Sequence, residues 1–105
     1  MNEDTRINGG IKMISINMDM IVSQKKDIDT TDIDGEKAMM NLEKGQYFML
    51  NGVGSRIWDI ICKPISVKEI VSELMKEYDI DIITCEQKTL EFLRGLSNAE
   101  VISIK

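Results

Sequence analysis

Asp27, Asp29, Asp32, Asp34 and Glu36 place five carboxylates within ten positions, a density suited to a hard cation such as calcium or to a basic partner. The spacing Asp27-x-Asp29-x-x-Asp32-x-Asp34 does not reproduce the calcium-loop pattern, which needs glycine at its sixth position and glutamate at its twelfth. The run is therefore read as a solvated acidic loop, and no metal is expected. Cys62 and Cys85 are the two cysteines, far apart and outside any CxxC pattern, and with no histidine in the chain a Cys/His zinc site cannot be assembled. Both are expected as reduced thiols. The missing histidine also removes the commonest general base and the Ser-His and Cys-His nucleophile pairs. Only carboxylates, lysine or tyrosine remain for catalysis, so a protein that binds rather than transforms is expected, without a cofactor.

The 105 residues suit one domain, too small to divide between cofactor binding and catalysis. A hydrophobic share of 43% and a charged share of 30% describe a globular chain rather than a disordered one. Eight methionines carry part of the apolar load, as adaptable core fillers first and as a pliable binding surface second. No apolar run approaches the ~20 residues of a membrane span, and MNEDTRINGG lacks the basic start and apolar stretch of a signal peptide, so a cytoplasmic location is expected. Residues 1–13 read as a flexible N-terminal segment and 14–105 as the domain.

Hydrophobic periodicity changes once along the domain. Ile14, Ile16, Met18, Met20 and Val22 alternate with mostly polar residues, the pattern of a half-buried first strand. Glu36–Glu43 and Gln46–Leu50 follow as two further strands, with Gly45 able to supply the positive φ of a tight connection. Tyr47 and Met49 on one face of the last strand and Phe48 and Leu50 on the other make both faces apolar, which predicts cover on both sides. From Asn51 the period becomes helical. Asn51 caps a helix carrying Val53, Ile57, Trp58 and Ile61, and Lys63-Pro64 ends it. Ser66-Val67-Lys68-Glu69 is a capping box opening a second helix to about Tyr78, with Ile65 and Ile70 placed as a staple. Thr84-Cys85-Glu86-Gln87 repeats that logic for a third and longest helix through Leu90, Phe92, Leu93 and Leu96, and Val101–Ile104 ends the chain as an extended segment. The expected class is α+β, a winged helix-turn-helix-like arrangement with a three-stranded antiparallel N-terminal sheet followed by three helices.

The default association of that arrangement is DNA binding, as a winged-helix regulator. Net charge of −5 and a third helix bearing Glu86, Lys88, Glu91, Arg94 and, just past its end, Glu100 give no basic stripe for a phosphate backbone. Nucleic acid is therefore not the expected partner. A small enzyme, or an enzyme subunit working through acidic residues, is the remaining alternative.

The stretch Tyr47–Ile102 resembles the PqqD-like family. An aromatic strand leads into L-N-x-x-(small)-x-x-I-W, an S-x-x-E-I helix start follows, then the pair Tyr78-Asp79, and a helix of the form L-x-F-L-x-x-L comes last. The resemblance implies a non-enzymatic recognition element that binds the leader segment of a ribosomally synthesised precursor peptide, stand-alone as in lasso-peptide pathways. Its partners would be the leader and a leader peptidase or other modifying enzyme. In that family the leader adds as a strand to the third strand of the sheet and lies against the third helix, which here implies a peptide site of Gln46, Tyr47, Phe48, Met49, Leu50, Lys88, Glu91, Phe92 and Arg94. Where the family commonly begins its L-x-F-L run with an acid, Lys88 stands, implying an altered charge preference. A sheet edge open to a peptide is open to a second copy as well, so the expectation is a monomer or an edge-paired dimer.

Overall fold

The computed structural model describes residues 16–26, 28–34 and 36–105. Six strands and three helices alternate as β1 (Ile21–Gln24), β2 (Ile28–Ile33), β3 (Glu36–Asn41), β4 (Gln46–Leu50), α1 (Gly52–Ile60), β5 (Ile65–Ser66), α2 (Val67–Glu77), α3 (Ile82–Asn98) and β6 (Ile102–Ile104). The class is α+β with antiparallel pairing throughout. Two small sheets form instead of one: β2-β3-β4 and β5-β1-β6.

The first strand departs from its alternation pattern. Asn17–Met20 is irregular, with a turn at Met18-Asp19, and pairing begins only at Ile21; positions 1–15, including Ile14 and the proposed N-terminal segment, lie outside the described residues. β1 joins β5 and β6 rather than the hairpin sheet, with Val22 opposite both Ile65 and Ile104. The acidic segment also departs from expectation, because it is a strand. Ile28–Ile33 pairs with Glu36–Asn41 from Ile28↔Asn41 to Ile33↔Glu36, leaving two residues for the connection. Asp34 takes a φ of 51°, and Asp34-Gly35 is the composition that a two-residue type I′ turn selects. Asp27 lies outside the described residues, and among those described no three His, Cys, Asp or Glu side chains gather as a metal site.

β3 and β4 form the expected hairpin, from Asn41↔Gln46 to Lys37↔Leu50. Gly45 closes its loop at a φ of 66°, which a side chain would strain. Asn41 sets the loop's shape, its Oδ1 accepting from the Glu43 and Lys44 N–H groups at 3.1 and 3.3 Å.

Each helix starts on a side-chain cap. Asn51 Oδ1 accepts from the Gly54 N–H at 2.7 Å. Ser66 Oγ accepts from the Glu69 N–H at 3.2 Å and donates to Glu69 Oε1 at 2.9 Å, so the carboxylate returns to the hydroxyl and only one arm of the box takes its usual form. α3 begins three residues before its expected start, where Thr84 would be the cap. Asp81 is its cap, accepting from the Thr84 N–H at 3.0 Å and from Thr84 Oγ1 at 2.8 Å, which binds Thr84 into the first turn. Those bonds, the backbone one foremost, hold the Asp81 carboxyl below its ordinary range.

α3 ends in a Schellman motif: the Glu100 N–H donates to Ser97 O at 3.0 Å and the Val101 N–H to Leu96 O at 3.2 Å. Glu100 stands where glycine is usual, at a φ of 60°. Its ion pair with Lys44, which lowers the Glu100 carboxyl, is solvent-exposed and adds little stability. Glu100→Gly is therefore expected to raise the melting temperature by ~2–5 °C, as read by circular dichroism. A fall would show that the ion pair outweighs the left-handed strain.

The core lies between the helices and the inner faces of both sheets. Val22, Met39, Ile61, Val67, Ile70, Leu93 and Val101 are its most enclosed side chains, with Trp58 beside them.

Candidate functional site

β4 is the outer strand of the order β2-β3-β4, so one side of its backbone has no neighbour among the described strands. Its side chains divide cleanly. Phe48 and Leu50 turn toward the helices and pack on the core, while Tyr47 is 58% and Met49 46% exposed on the outer face, with the Tyr47 hydroxyl donating to Met49 Sδ at 3.2 Å. The expected cover on both faces is absent because no second layer lies over Met40, Tyr47 and Met49 among the described residues.

Between β4 and α3 runs a cleft of about 870 Å³. Phe48, Met49 and Leu50 form its strand wall, Lys88, Glu91, Phe92, Gly95 and Ala99 run along α3, and Val53, Gly54 and Ile57 of α1 lie between them. Leu74, Tyr78, Asp79 and Ile80 also line it. The lining is dominated by apolar side chains, with Lys88, Glu91 and Asp79 as its charges; none of the three forms an ion pair among the described residues. Such a surface accepts apolar side chains and has charges left to pair with those of a ligand.

Two buried polar residues hold the strand wall at a set distance from the helices. At one end, Ser55 Oγ accepts from the Lys37 N–H at 3.0 Å and donates to Leu50 O at 3.2 Å, tying α1 to β3 and β4 together. At the other, Asn41 Nδ2 donates to Ala99 O at 3.4 Å, tying the hairpin loop to the end of α3. Arg56 grips Glu77 with a fork of bonds at 2.6–3.0 Å, joining α1 to α2; the arginine bond lowers the Glu77 carboxyl, and the same bond raises Arg56. Lys37 Nζ lies 2.9 Å from Asp32 and 3.2 Å from Asp59, and the Asp32 bond is the main cause of its raised pKa.

Of the residues expected at a peptide site, Phe48, Met49, Leu50, Lys88, Glu91 and Phe92 line the one cleft. Gln46 and Tyr47 lie on the same edge strand outside it. Arg94 is exposed and does not line it, being about 200° round the helix from Phe92. Helical arithmetic alone carries that separation. Asn41 and Ser55 were not among the expected residues, and neither were the walls from α1 and Ile80. An Asn in the last position of a strand before a glycine-bearing loop is the only local signal for the first, and Ser55 has none, since its partners are 18 residues back and five residues back in the chain.

The family profile described as coenzyme PQQ synthesis protein D matches residues 36–102, which contain both walls of the cleft. Comparison with curated proteins returns no match. Among solved structures, the chain is similar to TbiB1 in complex with the TbiA(beta) leader peptide, at 35% identity over 77% of this chain and 94% of that one, with a TM-score of 0.70. It shares its fold with lasso peptide synthetase B1 complexed with the leader peptide, at 16% identity over 78% and 96% of the two chains and a TM-score of 0.69. The profile match across both walls, together with a 35% identical relative covering most of the chain, places this protein in the PqqD family.

Proposed function

We propose that the chain binds the leader segment of a ribosomally synthesised precursor peptide and presents it to a partner modifying enzyme or leader peptidase, without chemistry of its own. The observation that carries this reading is an unpaired edge strand forming one wall of an apolar cleft, in a chain 35% identical to a protein solved with a leader peptide. A peptide laid along Gln46–Leu50 gains main-chain hydrogen bonds from the edge and places alternate side chains against Phe48, Leu50 and Phe92. Lys88 and Glu91 pair with its charges, Tyr47 and Met49 flank it from the outer face, and Arg94 stays outside the contact. Holding substrate in this way raises its effective concentration at the partner enzyme. The two free thiols suit a reducing cytoplasm. An α3 on which Glu86 and Glu91 balance Lys88 and Arg94, in a chain of net charge −5, offers no basic stripe and favours this reading over a DNA-binding one.

Titration with fluorescein-labelled leader peptides, the TbiA(beta) leader and those of short reading frames beside the gene, tests it by anisotropy and amide NMR. Micromolar or tighter binding is expected, with shifts concentrated at Gln46–Leu50, Lys88, Glu91 and Phe92. No binding of any leader at ~100 μM would sink it.

A further inference from the structure

Gly54 and Gly95 both line the cleft, and only one of them is explained by the protein's own packing. A Cβ at Gly54 would stand 3.0 Å from Phe92 Cε1 and 3.1 Å from Phe92 Cζ, tight enough that the ring would have to give by a few tenths of an ångström. At Gly95 a Cβ would meet nothing within 4 Å. Its backbone does not call for glycine either, since Gly45 is the glycine with positive φ among the described residues and Gly95 sits inside the 17-residue α3. Glycine inside a helix is disfavoured against alanine by roughly fivefold in the folding equilibrium. The position thus weakens the helix and relieves no contact within the chain. What distinguishes it is where it lies, one turn beyond Phe92 on the helix wall that faces Phe48 and Leu50.

We infer that Gly95 is a specificity-determining position, keeping the α3 wall low so that an apolar side chain of the bound peptide packs directly on the helix backbone. This rests on the leader-binding reading and adds the size of the group that the cleft takes. A methyl at position 95 would project into the space that side chain fills, and a larger group would block it. The peptide's fit is therefore set at this point by the absence of a Cβ. Phe48, Leu50 and Phe92 supply the remaining apolar surface, so the recognised group is aliphatic or aromatic rather than charged.

The test compares Gly95→Ala, Gly95→Leu and Gly52→Ala in the full chain, using a labelled leader peptide that binds the wild-type protein. Gly52 also has open space at its Cβ and, although Asn51 and Val53 beside it line the cleft, is not itself part of the lining, so it receives the same methyl outside the cleft wall. Gly95→Ala is expected to raise the melting temperature by ~3–6 °C while weakening leader binding about tenfold. Gly95→Leu should weaken it about a hundredfold or more, and Gly52→Ala should bind within twofold of wild type. Gly95→Ala binding within twofold of wild type would overturn the inference while leaving the leader-binding reading intact. A lowered melting temperature in Gly95→Ala would overturn it too, by showing that the protein itself needs the space. Absence of leader binding by the wild-type chain is the separate result that removes the functional reading, and this inference with it.

Discussion

Met49→Asp is expected to weaken the leader complex by about 30- to 100-fold, or ~2–3 kcal/mol, in a protein that still folds. The effect comes from a difference between two states. In the free protein Met49 is 46% exposed on the outer face of β4, opposite Ala38, so a carboxylate there keeps most of its water. The loss of strand propensity and of the Tyr47 contact is worth about 1 kcal/mol at most. In the complex the same carboxylate would lie beside an added strand at the mouth of an apolar cleft, where it is desolvated. Anisotropy titration reads the affinity and far-UV circular dichroism reads the fold. Retained affinity in a folded variant would mean that the peptide is received somewhere other than β4.

Trp58→Ala should remove ~3–5 kcal/mol of stability, enough to leave a domain of this size marginal. Trp58 is 3% exposed on α1, packed in the core, and its carbonyl accepts from Gln24 Nε2 at 2.7 Å, joining α1 to β1. Removing the indole opens a cavity that the tied elements are poorly able to close. The midpoint of urea unfolding checks it, with Trp58→Phe, which refills most of the space, expected to lose well under half as much. A change below ~1 kcal/mol would contradict the placement of this side chain at the centre of the core. Because α1 also carries Val53, Gly54 and Ile57 into the cleft, apparent leader affinity should fall in step with the unfolded fraction.

The helices and the β3–β4 hairpin were legible because their signals are local. Asn51, Ser66 and Gly45 each act on backbone within a few residues, and each does so in the fold. The acidic strand was hidden for an equally physical reason: IDTTDI is exposed along nearly its whole length, so no face of it is selected for apolarity. Its readable signs were two adjacent β-branched threonines and the Asp34-Gly35 turn, which the density of charge outweighed. The alternation from Gln46 to Leu50 separates Tyr47 and Met49 from Phe48 and Leu50, yet which pair faces the helices depends on packing over long sequence distances. Ile14–Val22 shows the limit of periodicity, since alternation there reaches beyond the strand that forms. The cleft's walls were partly legible as a strand and a helix, whereas its setting by Ser55 and Asn41 comes from tertiary contacts alone.

The two rims of the hairpin sheet differ in chemistry. β2 carries Asp29 and Asp32 along one rim, with Asp34 at its turn, whereas Gln46–Leu50 carries no charge along the other. A sheet with two neutral rims is a template for stacking copies end to end into a fibre. Here two β2 rims brought together would set carboxylates against carboxylates, and a β2 rim laid on another copy's β4 would strip water from Asp29 and Asp32, of which only Asp32 has a cation, Lys37, beside it. Growth by self-templating is thus blocked on one side, which leaves the neutral rim available at the concentrations where an unguarded hairpin would polymerise.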